Sequence, residues 1–479
     1  MVEKKFFQYK SGYILISIIL LIIYVIGYLC FACDYSIGLS QIKPIAVLII
    51  LQFAFTIFSW YRITGALFDA YLVFTLVFFV FNLSQPVIEM LGCAVEFRRL
   101  WGGGYGLSNK LYFMATCYSL AAANVFHIGA ILSLRNKSKN NSLIVDRLLY
   151  LRVLRKTAVA FCVISGPFYL YNLVQELLIV QTLGYNGLYE IESSSRGVEI
   201  VAGMFEPAML AFFCTSMLLN TKKKTSGLLI ILTMFIPPLV LGGRSNAMLV
   251  LAIIFVAISC TSKINVRKFS LFFAIGICML FLMNIIAETR TDAGRSYKAI
   301  ADAGRSSENP IISTIQEMGW SLYPLALTIE AIPDKKDYDY GTSFFWAGIS
   351  LIPNIGFWNG EHPGKKNDPA EWLNRYSKEN YGIGYSMTAG AYNEFGILGL
   401  VLMFVYGIVF GRIFANVSSC NAFKKPIKFI FALIFLWFAI KFVRNSLTGI
   451  SRGLVYYMLP LAYVSKIMYR KNILNKLRH

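Results

Sequence analysis

Apolar runs recur along the whole chain, at 12–33, 44–61, 64–82, 111–134, 156–180, 198–220, 226–241, 245–261, 268–287, 395–416, 427–441 and 449–467. A helix of about 17–25 apolar residues is what spanning a bilayer requires. The pattern therefore predicts an all-α polytopic membrane protein of about 12 transmembrane helices. Between the ninth and tenth runs the pattern stops for about a hundred residues, far beyond ordinary connection lengths. The chain thus divides into spans over 1–287, a large loop over 288–385, and further spans with a tail over 386–479.

The loop is itself patterned. Its segments 311–332 and 343–358 are apolar enough to lie in the interface or re-enter the bilayer. If both cross, the number of spans rises to about 14. The stretch 360–385 is polar and rich in Gly, Asn and Lys, and reads as a mobile cap. Asp-Ala-Gly-Arg-Ser occurs twice, at 292–296 and 302–306.

A net charge of +20 raises the question of a nucleic-acid partner, and its distribution removes it. The basic residues cluster between spans: Lys4, Lys5 and Lys10; Arg135, Lys137 and Lys139 with Arg147, Arg152, Arg155 and Lys156; Lys222 to Lys224; Lys263, Arg267 and Lys268; Lys424, Lys425 and Lys428; Arg470, Lys471, Lys476 and Arg478. These fall in alternate loops, so the charge encodes orientation. Both termini are then cytoplasmic and the large loop is extracytoplasmic. Cysteines lie mostly within apolar runs, and Cys30-x-x-Cys33 has no second pair or nearby His, so no metal or redox cofactor is expected.

Charged residues at the predicted outer boundary are the candidates for chemistry. Arg244 follows Pro237, Pro238, Gly242 and Gly243 at the start of a span, where a guanidinium fork suits a phosphate. The bland reading is snorkelling to ordinary lipid phosphates. Glu288, Arg290, Arg295 and Arg305 stand above the ninth span; Tyr392, Asn393 and Glu394 open the tenth; Arg444 and Arg452 flank the last outer turn. Together these arginines form a potential anion cup, although a salt bridge is an equal reading for any one of them. Glu394 enters an apolar helix, where desolvation can make it a general base; the competing reading is a carboxylate stabilised by a helix N-terminus. Glu317, Glu361, Asp368 and Glu371 are further acid–base candidates. His362 is the outer histidine, in a place where most histidines are merely solvated, whereas His127 within the fourth span reads as a packing residue. Asp337-Tyr-Asp339 is formally a D-x-D of the metal–sugar-nucleotide type, but so short a pattern recurs by chance. No phosphate loop, G-x-S-x-G or H-E-x-x-H is present.

At these residues the chain resembles the Wzy family of O-antigen and capsular oligosaccharide repeat-unit polymerases. The likeness runs over about 200 to 465: the Gly242-Gly243-Arg244-Ser245 turn into a leucine-rich span, the long loop, and the exit Tyr392-Asn393-Glu394-Phe395-Gly396-Ile397-Leu398-Gly399 continuing through Gly407 and Gly411. The family's arginine-x10-glycine element is not matched, since Phe255, Ala301 and Ser306 stand eleven after Arg244, Arg290 and Arg295.

The resemblance implies a bacterial inner-membrane glycosyltransferase with a GT-C-like helical fold and no metal or other cofactor. Its donor and acceptor would be undecaprenyl-pyrophosphate-linked oligosaccharides, with membrane lipids and a chain-length regulator as further partners. Glu394, then His362, would be the base. Arg244, Arg290, Arg295, Arg305, Tyr392, Arg444 and Arg452 would bind pyrophosphate and glycan. A neighbouring reading is an O-antigen ligase acting on a lipid A core or protein. A rival from another class is a flippase for the same lipids, supported by Glu176 and Glu206 within spans.

Overall fold

A computed structural model describes residues 2–33, 41–66, 68–93, 107–134, 147–184, 187–190, 196–242, 244–262, 310–353, 358, 362–377 and 383–478, with isolated positions at 270, 274 and 276. Its regular elements are helices throughout. Nine helices among the described residues are long and apolar enough to cross a membrane. Those before the loop are α1 (Val2–Ala32), α2 (Ile42–Thr64), α3 (Ala70–Met90), α4 (Asn109–Ser133), α5 (Arg147–Leu183), α6 (Gly197–Leu218) and α7 (Lys223–Leu241). They are followed by α8 (Arg244–Thr261), whose apolar stretch is shorter. The expected span at 268–287 lies almost wholly outside the described residues.

The loop contributes α9 (Pro310–Met318), α10 (Leu322–Ala331), α11 (Thr342–Ile349) and α12 (Pro369–Ser377). Where the tenth span is expected, at 395–416, stands α14 (Gly399–Phe414), and α13 (Met387–Phe395) precedes it in the same apolar stretch. The last of the nine is α15 (Pro426–Val443), followed by a run from α16 (Leu447–Arg452) through a π-helical turn (Gly453–Met458) into α17 (Leu459–Arg478), where the twelfth span is expected.

The core is the close pairing of α4 with α14. A Cβ on Gly407 would stand 2.1 Å from the Phe126 carbonyl oxygen, and one on Gly129 would stand 2.3 Å from that of Phe404. Small residues let two backbones approach so closely, and apolar helices in lipid associate through such packing. Around this pair the helices alternate in direction. Lys10 Nζ donates to the carbonyls of Leu132 and Leu134, and Tyr150 stacks on Tyr469, so α1 starts and α17 finishes at one end of the bundle. The loop helices and the start of α13 lie at the other, here called the loop end.

Two expectations about boundaries change. The third span runs 70–90 rather than 64–82. It starts at Asp69, whose Oδ1 accepts the Leu72 N–H at 3.0 Å, and it continues past Asn82 through Ser84 and Gln85, whose polarity reads as loop. These side chains are matched by the large loop. Gln85 Nε2 donates to the Gln316 carbonyl at 2.6 Å, Ser84 Oγ approaches that of Ile315 at 3.4 Å, and Thr388 Oγ1 donates to Asn82 Oδ1 at 3.1 Å. Beyond them α10 is buried almost along its whole length, from Leu322 to Ile329. Segment 310–332 is therefore part of the bundle wall and core. The second change concerns 362–377, expected as a mobile cap, which is packed: His362, Asp368 and Leu373 are all buried.

His127 is the packing residue that its sequence context suggests, held between Tyr71 OH and Ser59 Oγ at 2.7 Å each.

Candidate active site

The chain between α10 and α11 folds back along the end of α13. The amide of Asp339 donates to the Asn393 carbonyl at 3.0 Å, and that of Tyr340 donates to the Glu394 carbonyl at 3.1 Å. Gly341, in left-handed backbone with φ +94°, turns its N–H onto Glu394 Oε2 at 2.6 Å. Glu394 is 2% exposed, and a buried carboxylate needs such donors.

Its neighbours form one polar network. Lys336 Nζ stands 2.8 Å from Asp339 Oδ1 and donates to Asn393 Oδ1 at 2.8 Å. Asn393 Nδ2 donates to Asp339 Oδ2 at 2.5 Å, and Ser343 Oγ donates to the same oxygen at 3.0 Å. The Lys336 ammonium also lies 4.9 Å from the centre of the Trp372 ring.

Directly behind this network the helix breaks. Gly396 has φ +57° and ψ −131°, a conformation suited to glycine, and a Cβ there would stand 2.8 Å from Tyr338 Oη. A Cβ on Gly399 would fall 2.0 Å from the Ala391 carbonyl oxygen. In a straight helix residues eight apart are about 12 Å apart, so α13 bends sharply onto α14. Tyr392 braces the bend: its hydroxyl is 3.0 Å from that of Tyr28 in α1, and its ring meets Tyr118 edge-on at 5.2 Å. Tyr118 Oη donates to the Gly396 carbonyl at 3.4 Å.

A buried carboxylate in a network of amide, ammonium and aromatic groups, at the loop end of a helical membrane bundle, is equipped for proton transfer to or from a polar substrate. A family model described as O-antigen polysaccharide polymerase Wzy matches residues 13–476. The chain belongs to this family. Nothing among curated proteins and nothing among solved structures matches it.

In this Wzy-family membrane polymerase the remaining expected site residues are distributed unequally. His362 has both ring nitrogens engaged by backbone: Nε2 lies 2.8 Å from the Ile352 carbonyl, and Nδ1 accepts the Gly364 N–H at 3.0 Å. Arg452 Nε donates to the Ser350 carbonyl at 3.2 Å, and Ser446 Oγ donates to Asp368 Oδ2 at 2.8 Å. Asp368 and Arg452 thus tie the second half of the loop to the C-terminal helices, while His362 braces the loop internally. Arg444, just after α15, has its guanidinium 5.9 Å from the Phe81 ring centre and its Nε beside Gly384.

Tyr385 joins the two groups. It is buried, and burial together with the carboxylates of Asp339, Asp368 and Glu394 holds its hydroxyl well above the usual phenol range. Arg244 is the first residue of α8, at the loop end, with its side chain outside the described residues. Arg290, Arg295 and Arg305 also lie outside them. Among the described residues no group of His, Cys, Asp and Glu is placed to hold a metal ion.

Sequence reasoning missed Lys336, Asp339 and Ser343. The Asp337-Tyr-Asp339 motif was the available sign, and nothing in the chain order shows that it returns to Asn393 and Glu394.

Proposed function

We propose that this Wzy-family polymerase joins polyprenyl-pyrophosphate-linked oligosaccharide repeat units at its loop end, on the extracytoplasmic face of a bacterial inner membrane. The observation that carries the reading is the buried Glu394 carboxylate, held by Gly341 and set beside the Lys336–Asp339–Asn393 network where the loop meets α13. The orientation rests on the basic clusters at Arg147–Lys156, Lys222–Lys224 and Lys424–Lys428, all at the end of the bundle opposite Glu394.

In this reading an acceptor sugar hydroxyl gives its proton to Glu394 while its oxygen bonds to the anomeric carbon of the donor glycan. The bond from that carbon to the pyrophosphate oxygen breaks, and the electron pair leaves with the lipid pyrophosphate. The developing negative charge requires fixed cations. Arg444, beside Gly384, is one contributor, with Arg244, Arg290, Arg295, Arg305 and Arg452 as others. Tyr392 positions Glu394 through the bend. His362, whose nitrogens are both engaged, pins the loop. Enclosure by the loop excludes water, whose attack on the donor is the competing reaction.

The test is the surface polysaccharide of a strain carrying Glu394→Gln at normal membrane abundance. Single repeat units capped on the terminal acceptor are the expected result. A full polymer ladder removes Glu394 as the base. Polymer accumulating on the polyprenyl carrier in the deletion strain indicates the ligase, and repeat units trapped on the inner leaflet indicate the flippase.

A further inference from the structure

Tyr340 adopts φ +46°, a left-handed conformation in which a side-chain Cβ is crowded by its own backbone. Among the described residues the other non-glycines with positive φ are Asn220 and Lys222, in a turn at the far end of the bundle. The reason for the turn is visible. Left-handed backbone at 340 and 341 brings successive N–H groups onto the Asn393 and Glu394 carbonyls and the Glu394 carboxylate. Glycine would make that turn with less strain, so the backbone does not explain the tyrosine. Nor does burial, because the residue is 69% exposed and its ring meets only the edge of Tyr338, 5.9 Å between centres, among the ring contacts described. A side chain kept at a conformational cost and left open at a functional site has its use outside the chain.

The chemistry around the ring selects the partner. Lys336 supplies one positive charge against the two carboxylates of Asp339 and Glu394, so the immediate surroundings favour hydroxyl donors over phosphate. An aromatic face attracts the polarised C–H face of a pyranose. We propose that Tyr340 is the stacking platform for the acceptor sugar, and thus a specificity-determining residue of the polymerase. This rests on Glu394 as the reacting base.

The test uses the full-length polymerase in proteoliposomes with its lipid-linked repeat unit, and with the same oligosaccharide released from its carrier as a competing acceptor. Tyr340→Ala should raise the apparent KM for acceptor about tenfold and weaken competition by the lipid-free oligosaccharide equally, with kcat within about twofold. Tyr340→Trp should restore both. Tyr340→Gly should show the same binding loss while its unfolding midpoint stays at or above that of the parent, which separates sugar binding from a structural role. An unchanged KM in Tyr340→Ala overturns the proposal. So does a loss confined to the lipid-linked substrate, which makes the ring a membrane anchor. Glu394→Gln with full activity refutes the base assignment instead, whatever Tyr340 does.

Discussion

Gly341 gives its amide hydrogen to Glu394, with 2.6 Å between nitrogen and Oε2, from a backbone angle of φ +94°. A Cβ at this glycine would meet no atom within 4 Å, so a substitution there is penalised by backbone conformation alone. Gly341→Ala should cost about 1–2 kcal/mol of stability and turn the N–H away from Glu394. Polymer formation in membranes should fall at least about tenfold. Gly348→Ala, in α11 with similarly open space, is the control and should leave both properties intact. Equal activity in the two variants would detach Gly341 from the site.

Asp339 accepts from Lys336, Asn393 and Ser343. Asp339→Ala removes all of these acceptors at once. The pair is partly open, with side-chain exposures of 22% and 17%, so screening reduces the Coulombic part. A loss of about 1–3 kcal/mol is expected, mainly from stranded donors. Thermal unfolding in detergent measures it, and Lys336→Met in the same background should add little, because the two share one interaction.

The α4–α14 contact should be the least tolerant place in the bundle. Gly407→Leu forces its side chain against the Phe126 backbone, where nothing flexible can yield. Overpacking of this kind costs about 1–3 kcal/mol or more. The variant should show reduced membrane abundance and a lowered unfolding midpoint. Val405→Leu, two residues away and 45% exposed, should be neutral.

Asp368 holds the second half of the loop through Ser446 Oγ and the Ala370 N–H. Asp368→Ala should leave the spans in place and loosen 362–377. Limited proteolysis from the loop side should cut this segment faster than in the parent, while cleavage elsewhere is unchanged. Uniform cleavage kinetics would show that Asp368 is dispensable for docking.

Asp69 carries a pH dependence. Burial pushes its carboxyl up to about 6 against hydrogen bonds from the Trp60 indole and the Leu72 amide. Because the folded value lies above the ordinary 3.8, the protonated form is favoured by folding. Stability from this group is full below about 4 and declines as pH rises through about 6. The unfolding midpoint of the parent should fall relative to that of Asp69→Asn between those values and run parallel above them. Parallel curves throughout would place the carboxyl near its ordinary range.

Apolar periodicity was enough to read the helical class and most of the spans. It failed where polar side chains are satisfied by distant chain. Ser84 and Gln85 read as loop because their partners, Ile315 and Gln316, come far later. Glu394, Tyr392 and Arg444 were legible as charged or polar groups beside apolar runs. Lys336 and Asp339 were not, because an acidic, lysine-bearing loop looks the same whether it faces solvent or folds back onto a helix. His362 was legible as a candidate, and only geometry shows both its nitrogens taken.

The pairing of α3 with segment 310–332 also bears on how the protein is made. Ser84 and Gln85 bond to residues 231 positions later in the chain, and the Asn82–Thr388 bond spans 306. When α3 first enters the bilayer, none of these partners has been synthesised. Its loop-end half must wait, with water or headgroups satisfying the polar side chains, until the ribosome has passed the start of α13. Nascent chains cut short before that point are therefore incomplete at the site and carry exposed polar groups in a membrane helix, which makes them natural targets for membrane quality control.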